Sequence, residues 1–255
     1  SWLPEDSLTN FFKYDQDVTA AYLSGNFNFN DDLGIIAGIR YEHTDINGSY
    51  DKIYDNFKNS YNNIVPSFTM SKKLNMFKTI KLSYTNRIKR PDVSKINTNT
   101  EISDLSNIIR GNPSLSPSQS HQLEIGYTSF NPGLMSSFYL YYKESLDVIE
   151  AYTTLIELDG YNIFETNYLN TGNNKSIGFN FFGSATILRN LTVRGSFDLY
   201  TYNMRTNVNN VDLVRDNLIY KYSFNANLKL GNGYKAESRA FFRSPRQTIQ
   251  GERPS

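Results

Sequence analysis

Residues 220–243 read YKYSFNANLKLGNGYKAESRAFFR, and their spacing decides the fold. Tyr220, Tyr222, Phe224, Ala226, Leu228 and Leu230 alternate with Lys221, Ser223, Asn225, Asn227 and Lys229. Successive side chains of a strand point to opposite faces, so this period of two predicts a strand with one apolar and one wet side. Gly231-Asn232-Gly233 is a tight turn, after which Tyr234, Ala236, Ala240 and Phe242 oppose Lys235, Glu237, Arg239 and Arg243. The stretch is a hairpin.

The same pattern repeats upstream. Alternating runs over 17–29 and 33–42 flank Asn30-Asp31-Asp32, and runs from Ile64 and from Ile80 flank a turn at 72–76. Pro91, which has no N–H for a ladder, ends the latter run. Runs from Leu123 and from Leu134 flank Asn131-Pro132-Gly133. A long strand after Asn162 reaches Ile187, and Leu188-Arg189-Asn190 turns it into a run from Leu191. Polar stretches rich in Asn, Asp and Tyr separate these hairpins at 43–60, 91–118, 147–162 and 204–216, and are expected as long loops. About ten strands result, each near the ~9–11 residues that cross a bilayer when tilted. Short and long connections alternate throughout, as the two ends of an outer-membrane β-barrel require. The expected fold is all-β, an antiparallel up-and-down transmembrane β-barrel.

Composition agrees. The chain has 255 residues, 39% apolar, with 19 Tyr and 17 Phe, and a mean hydropathy of -0.51. Nothing approaches the ~18 consecutive apolar residues of a membrane helix, whereas a barrel strand shows lipid only one face. With 26 basic and 25 acidic residues scattered along it, the chain has no electrostatic footprint for nucleic acid. It has no Cys, hence no disulfides or thiolate metal sites. Ser1-Trp2-Leu3-Pro4 does not open a signal peptide, so a mature chain or a fragment is expected.

The apolar faces are expected to meet lipid, with Tyr22, Tyr41, Tyr84, Tyr127, Tyr142 and Tyr220 as interfacial girdles. The opposite faces carry Arg40, Glu42, Lys81, Arg87, Glu124, Lys143, Arg194, Asp198, Lys221, Glu237 and Arg239, which suit a wet lumen. At mid-depth, Lys or Arg on the lipid side would cost about 2–4 kcal/mol each.

No nucleophile elbow, phosphate loop or zinc signature occurs, and His43 and His121 lack metal-ligand spacing. Neither an enzyme nor a cofactor or metal site is expected. Tyr50, Tyr54, Tyr61, Tyr152, Tyr161 and Tyr168 fall in or beside the loop stretches among many Asn. Stacking area beside amide partners would suit a sugar or a chelate, and the same residues also simply build extended loops.

Two stretches set the long loop between the fourth and fifth strands. They are YTNRIKRPDVSKI at 84–96, with Arg90 and Pro91, and GNPSLSPSQSHQLEIGY at 111–127, with Gly111, Asn112, Pro113 and Pro117. These positions shape strand ends. Together with DVTAAYLS, GIIAGIRYEHT and NYLNTGNNKSIGFNF, in this order, they resemble the barrel of TonB-dependent outer-membrane receptors, most like Bacteroidetes-type members. The resemblance implies a 22-strand barrel plugged by an N-terminal domain and importing an iron chelate, cobalamin or a glycan. Its implied partners are outer-membrane lipid, TonB through the missing N-terminal region, the nutrient ligand and a surface lipoprotein. Residues 1–255 would then be one domain, an internal portion of the barrel in the outer membrane of a Gram-negative bacterium, without the plug or the C-terminal strands. Two rivals stay open: a small closed ten-strand outer-membrane channel, and a soluble β-sheet module that binds glycans.

Overall fold

Ten strands form one sheet in the computed structural model, which describes residues 11–51, 56–98, 101–104, 106–158, 160–208, 211–247 and 252–253. In sheet order they are β1 (Phe12–Asn28), β2 (Leu33–Tyr50), β3 (Phe57–Asn75), β4 (Lys78–Lys89), β7 (Ser118–Asn131), β8 (Leu134–Leu146), β11 (Asn173–Ile187), β12 (Leu191–Val208), β13 (Val211–Lys229) and β14 (Lys235–Arg243). Every neighbouring pair is antiparallel. The expected turns hold their places, with Asn232 and Gly233 at φ 61° and 84° in the left-handed region that such a turn needs. Between β3 and β4 the turn narrows to Met76 and Phe77, because the ladder persists to Asn75 across a bulge.

The expected loops are shorter than the polar sequence suggests. β2 and β3 stay paired through Asp45↔Ser60 to Gly48↔Phe57, and β12 and β13 through Thr206↔Leu213 to Val208↔Val211. Beyond the bilayer a strand has water outside it, so its apolar period fades while its backbone ladder continues. The stretch at 91–118 contains a short helix, α1 (Val93–Ile96), with β5 (Glu101–Asp104) and β6 (Asn107–Ile109). The predicted long strand ending at Ile187 is split. Its first part is β10 (Tyr161–Asn170), paired with β9 (Ile149–Leu158). Gly172, at φ 96°, then breaks the chain before β11, and a Cβ there would lie 2.4 Å from the Arg205 carbonyl oxygen. The order β5-β6-β10-β9 makes a separate four-stranded sheet, whose β6–β10 pair is parallel and departs from the up-and-down pattern. Arg246–Gln247 and Glu252–Arg253 form a two-stranded ladder, β15 and β16.

Register places the side chains. Tyr127, Phe138, Phe181, Phe197, Tyr222 and Phe242 are successive cross-strand partners, one aromatic row over six strands on the apolar face. Phe138 and Phe181 rings lie 5.0 Å apart, and Tyr222 and Phe242 rings 5.1 Å. That face is uncovered: Phe224 is 44% exposed, Ile125 50% and Leu140 57%. A water-soluble sandwich would bury it against a second sheet, whereas lipid is its natural solvent. At the loop end of this face, Tyr41 donates to Asn62 Oδ1 at 2.7 Å, the Tyr84 hydroxyl meets His121 Nδ1 at 2.8 Å, and Tyr142 donates to Glu144 at 3.4 Å. Such rings, apolar in body and polar at the tip, suit a bilayer interface. Tyr22 does not join them: its partner is Arg40, so the period of two puts it on the polar face.

The polar turn-rich segment at 111–117 is strapped in from both sides. Gly111 and Asn112 donate backbone N–H groups to the carbonyls of Asn97 and Lys95 at 2.9 and 2.7 Å. Asn112 Nδ2 reaches the Tyr168 carbonyl on β10 at 2.9 Å, and Asn59 Nδ2 on β3 reaches the Leu115 carbonyl at 3.2 Å. Asn170 accepts from the Ser116 N–H and donates to the carbonyls of Ser116 and Asp147. Ile96 and Leu115 are each 1% exposed beneath this strap. Pro91, Gly111 and Pro117 are buried as well. At the end of β4, Arg90 crosses β3 to pair with the buried Glu42, which also holds Arg40 at 2.9 Å.

Two outcomes follow from these faces and contacts. In intact membranes, cysteines replacing Asn225 and Lys229 should react with a water-soluble maleimide in preference to cysteines replacing Phe224 and Leu228; the opposite preference would invert the faces. A Cβ at Gly111 would lie 2.2 Å from the Asn97 carbonyl oxygen, a backbone atom with no side-chain freedom. Gly111→Ala should therefore open the strap, speeding limited proteolysis within 91–118 severalfold while heat-modifiable migration on gels, the mark of an intact barrel, stays unchanged.

Candidate functional site

The six loop tyrosines do not converge. Tyr54 lies outside the described residues. Tyr50 stacks on Phe12 at 4.8 Å, and its hydroxyl accepts from the Thr98 N–H and Oγ1 at 2.9 and 2.7 Å. Tyr168 is engaged on the other side of the same segment, with Lys95 Nζ 5.7 Å from its ring centroid. Both rings hold the strap. Tyr61, opposite Thr44 on the polar face, is half-buried, and burial pushes its phenol above the ordinary value. Tyr152 and Tyr161 share one face of the β9–β10 hairpin, since Tyr152 faces Asn167 and Tyr161 lies six residues before it. Tyr161 is 74% exposed near the hairpin tip.

A second candidate lies on the polar face of β4, β7, β8, β11, β12 and β13, toward their loop ends. It is a concavity of about 580 Å³ lined by Arg87, Lys89, Gln122, Tyr141, Lys143, Asp198, Tyr200 and Lys221 among others. Small residues on the intervening strands open it: Lys89 and Arg87 face Ser118 and Ser120, and Lys143 faces Ser176. Gly178 leaves room for the Tyr141 ring, which lies 2.3 Å from where a Cβ would stand and would have to shift to admit one. Asp198 accepts from the Tyr141 hydroxyl at 3.2 Å and pairs with Lys221 at 3.5 Å, and Lys221 sits 5.0 Å above the Tyr200 ring. Sequence reading put Arg87, Lys143, Asp198 and Lys221 on wet faces but did not group them. Similar distances from the short turns were the signal that could have done so.

Among the described residues no three His, Cys, Asp or Glu side chains gather to hold a metal. His43 sits at the outward loop-side rim, beyond the apolar band. There the Asn62 amide oxygen, and next the Asp45 carboxylate, raise its pKa above the ordinary value.

Comparison with known proteins follows the fold. The alcaligin outer-membrane receptor FauA from Bordetella pertussis is similar at a TM-score of 0.51 and 16% identity, over 91% of this chain and 43% of that one. The copper transporter OprC is similar at 0.56 and 10%, over 89% and 40%. The siderophore receptor PirA from Pseudomonas aeruginosa is similar at 0.52 and 12%, over 94% and 55%. The chain thus spans about half or less of these relatives, and the likeness is one of fold. No curated protein matches the sequence. The model of the outer membrane protein beta-barrel family matches residues 1–255, its whole length. The open apolar sheet, the wet concave wall and this match agree: the chain belongs to the outer membrane protein β-barrel family and resides in the outer membrane of a Gram-negative bacterium.

Proposed function

We propose that this chain is part of the barrel of a TonB-dependent transporter that binds a nutrient outside the cell and imports it. The observation that carries the reading is the pairing of a lipid-suited outer face with a polar, concave inner wall beneath a strapped external sheet. The fold shared with transporters and receptors supports it.

In this reading the ten-stranded sheet is an internal portion of a 22-strand barrel of Bacteroidetes type. The plug, the contact with TonB and the closing strands come from the rest of the protein. The nutrient is an iron chelate, cobalamin or a glycan, a surface lipoprotein assists capture, and Tyr161 and Tyr152 are offered to the ligand from the β9–β10 hairpin. Chemistry on the cargo is not part of the role. Two observations weigh against the rivals. β1 and β14 are not paired with each other, as a closed ten-strand channel would need, and the Phe224 face lacks the covering layer of a soluble module.

Deleting the gene for the whole protein should impair growth when iron, cobalamin or one glycan is limiting. The full-length gene should restore growth only where TonB is present. Normal growth of the deletion strain under all three limitations would overturn the proposal.

A further inference from the structure

The inner-wall concavity holds four cations, Arg87, Lys89, Lys143 and Lys221, against one lining carboxylate, Asp198. The whole chain carries a net charge of only +1, so positive charge is concentrated here against a near-neutral background. Asp198, engaged by Tyr141 and Lys221, offsets the Lys221 charge and leaves Arg87, Lys89 and Lys143 as the net positive charge of the lining. Arg87 and Lys89 have no ion-pair partner among the described residues. Their strand neighbours Ser118 and Ser120 are small and leave the cationic heads room, with the Ser118 hydroxyl held on the Lys89 carbonyl and the Ser120 hydroxyl on Ser145. A cleft lined by one sign of charge focuses its field and raises the local concentration of counter-ions. Charge-assisted hydrogen bonds from guanidinium and ammonium groups to oxyanions are also about twice as strong as neutral ones.

We infer that this wall is a binding site for a multiply anionic, oxygen-rich solute, a polycarboxylate or phosphorylated chelate, and so selects against neutral glycans as cargo. The inference rests on reading the chain as the wall of an importer. Arg87, Lys89 and Lys143 form the basic rim, and Lys221, propped by Asp198 and Tyr200, closes the far side. The site lies in the loop-end half of the strands, on the side from which cargo arrives.

The test uses the full-length protein in non-ionic detergent, with pyrenetrisulfonate as a fluorescent trianion and citrate as competitor. The wild type should bind the dye at low salt, release it to citrate and leave neutral maltotriose unbound. The triple variant Arg87→Gln, Lys89→Gln, Lys143→Gln should bind at least about tenfold more weakly, roughly 1.4 kcal/mol. A control with the same charge loss at the opposite end, Lys72→Gln, Lys73→Gln, Lys78→Gln, should change binding less than about twofold. Heat-modifiable migration verifies that both variants are folded. Absent wild-type binding, equal weakening in both variants, or maltotriose bound as well as the dye would overturn the inference. Its failure is separable from that of the importer reading: if the wall variant restores growth as well as the wild type, the anion site falls and the importer stands, whereas a growth defect that not even the wild-type gene restores removes the importer.

Discussion

Every other feature depends on the backbone hydrogen-bond ladder. Within hydrocarbon an unpaired N–H or C=O costs several kcal/mol, so a chain crossing it by strands must pair each with a neighbour. The ten-stranded sheet does this from β1 to β14, and where the β11–β12 register skips Ser176 and Ile177 the Thr201 hydroxyl takes the Ile177 N–H instead. Once the ladder is continuous, side chains have two directions to point, and the two solvents divide them. The aromatic row from Tyr127 to Phe242 and the polar face that carries Arg87, Lys143 and Lys221 are the two sides of one pleated sheet.

The ladder also explains the height of the molecule at one end. β1, β2, β3, β12 and β13 have 17–19 residues, well beyond the ~9–11 that a tilted crossing uses. With tight turns at the other end, the surplus stands outside the membrane, where β2–β3 braces the strapped segment through Asn59 and Tyr50. Asn59, Asn112 and Asn170 then supplement sheet pairing with side-chain amides: Asn59 and Asn170 reach the Leu115 and Ser116 carbonyls of the segment, and Asn112 reaches out from it to the Tyr168 carbonyl on β10. This fits Asn well: its amide mimics the peptide group and carries both a donor and an acceptor.

Much of this was legible in the residues. The run from Tyr220 to Leu230 declared its strand and both faces, and Asn131-Pro132-Gly133 and Gly231-Asn232-Gly233 declared their turns, because period and turn chemistry are local properties. The loop at 43–60 was misjudged for a physical reason. Outside lipid, nothing demands an apolar outer face, so Asp45, Asn47 and Ser49 erase the period while the strand continues to Tyr50. β9 and β10 were hidden for a different reason, since their sheet is separate from the wall and includes a parallel partner distant in sequence. The loop tyrosines looked alike as letters, yet Tyr50 and Tyr168 brace the strap while Tyr161 stands free of it.

The sequence by itself determined the strand-and-turn alphabet, the two-faced character of the sheet and the absence of any membrane-spanning helix, because side-chain alternation and turn chemistry act within a few residues. Only the tertiary structure decided which strands are neighbours across the excursions at 90–117 and 147–172, and which polar residues on β4, β8, β12 and β13 share one concavity. Those are matters of register between segments far apart along the chain, where a shift of one residue would exchange every inward and outward side chain.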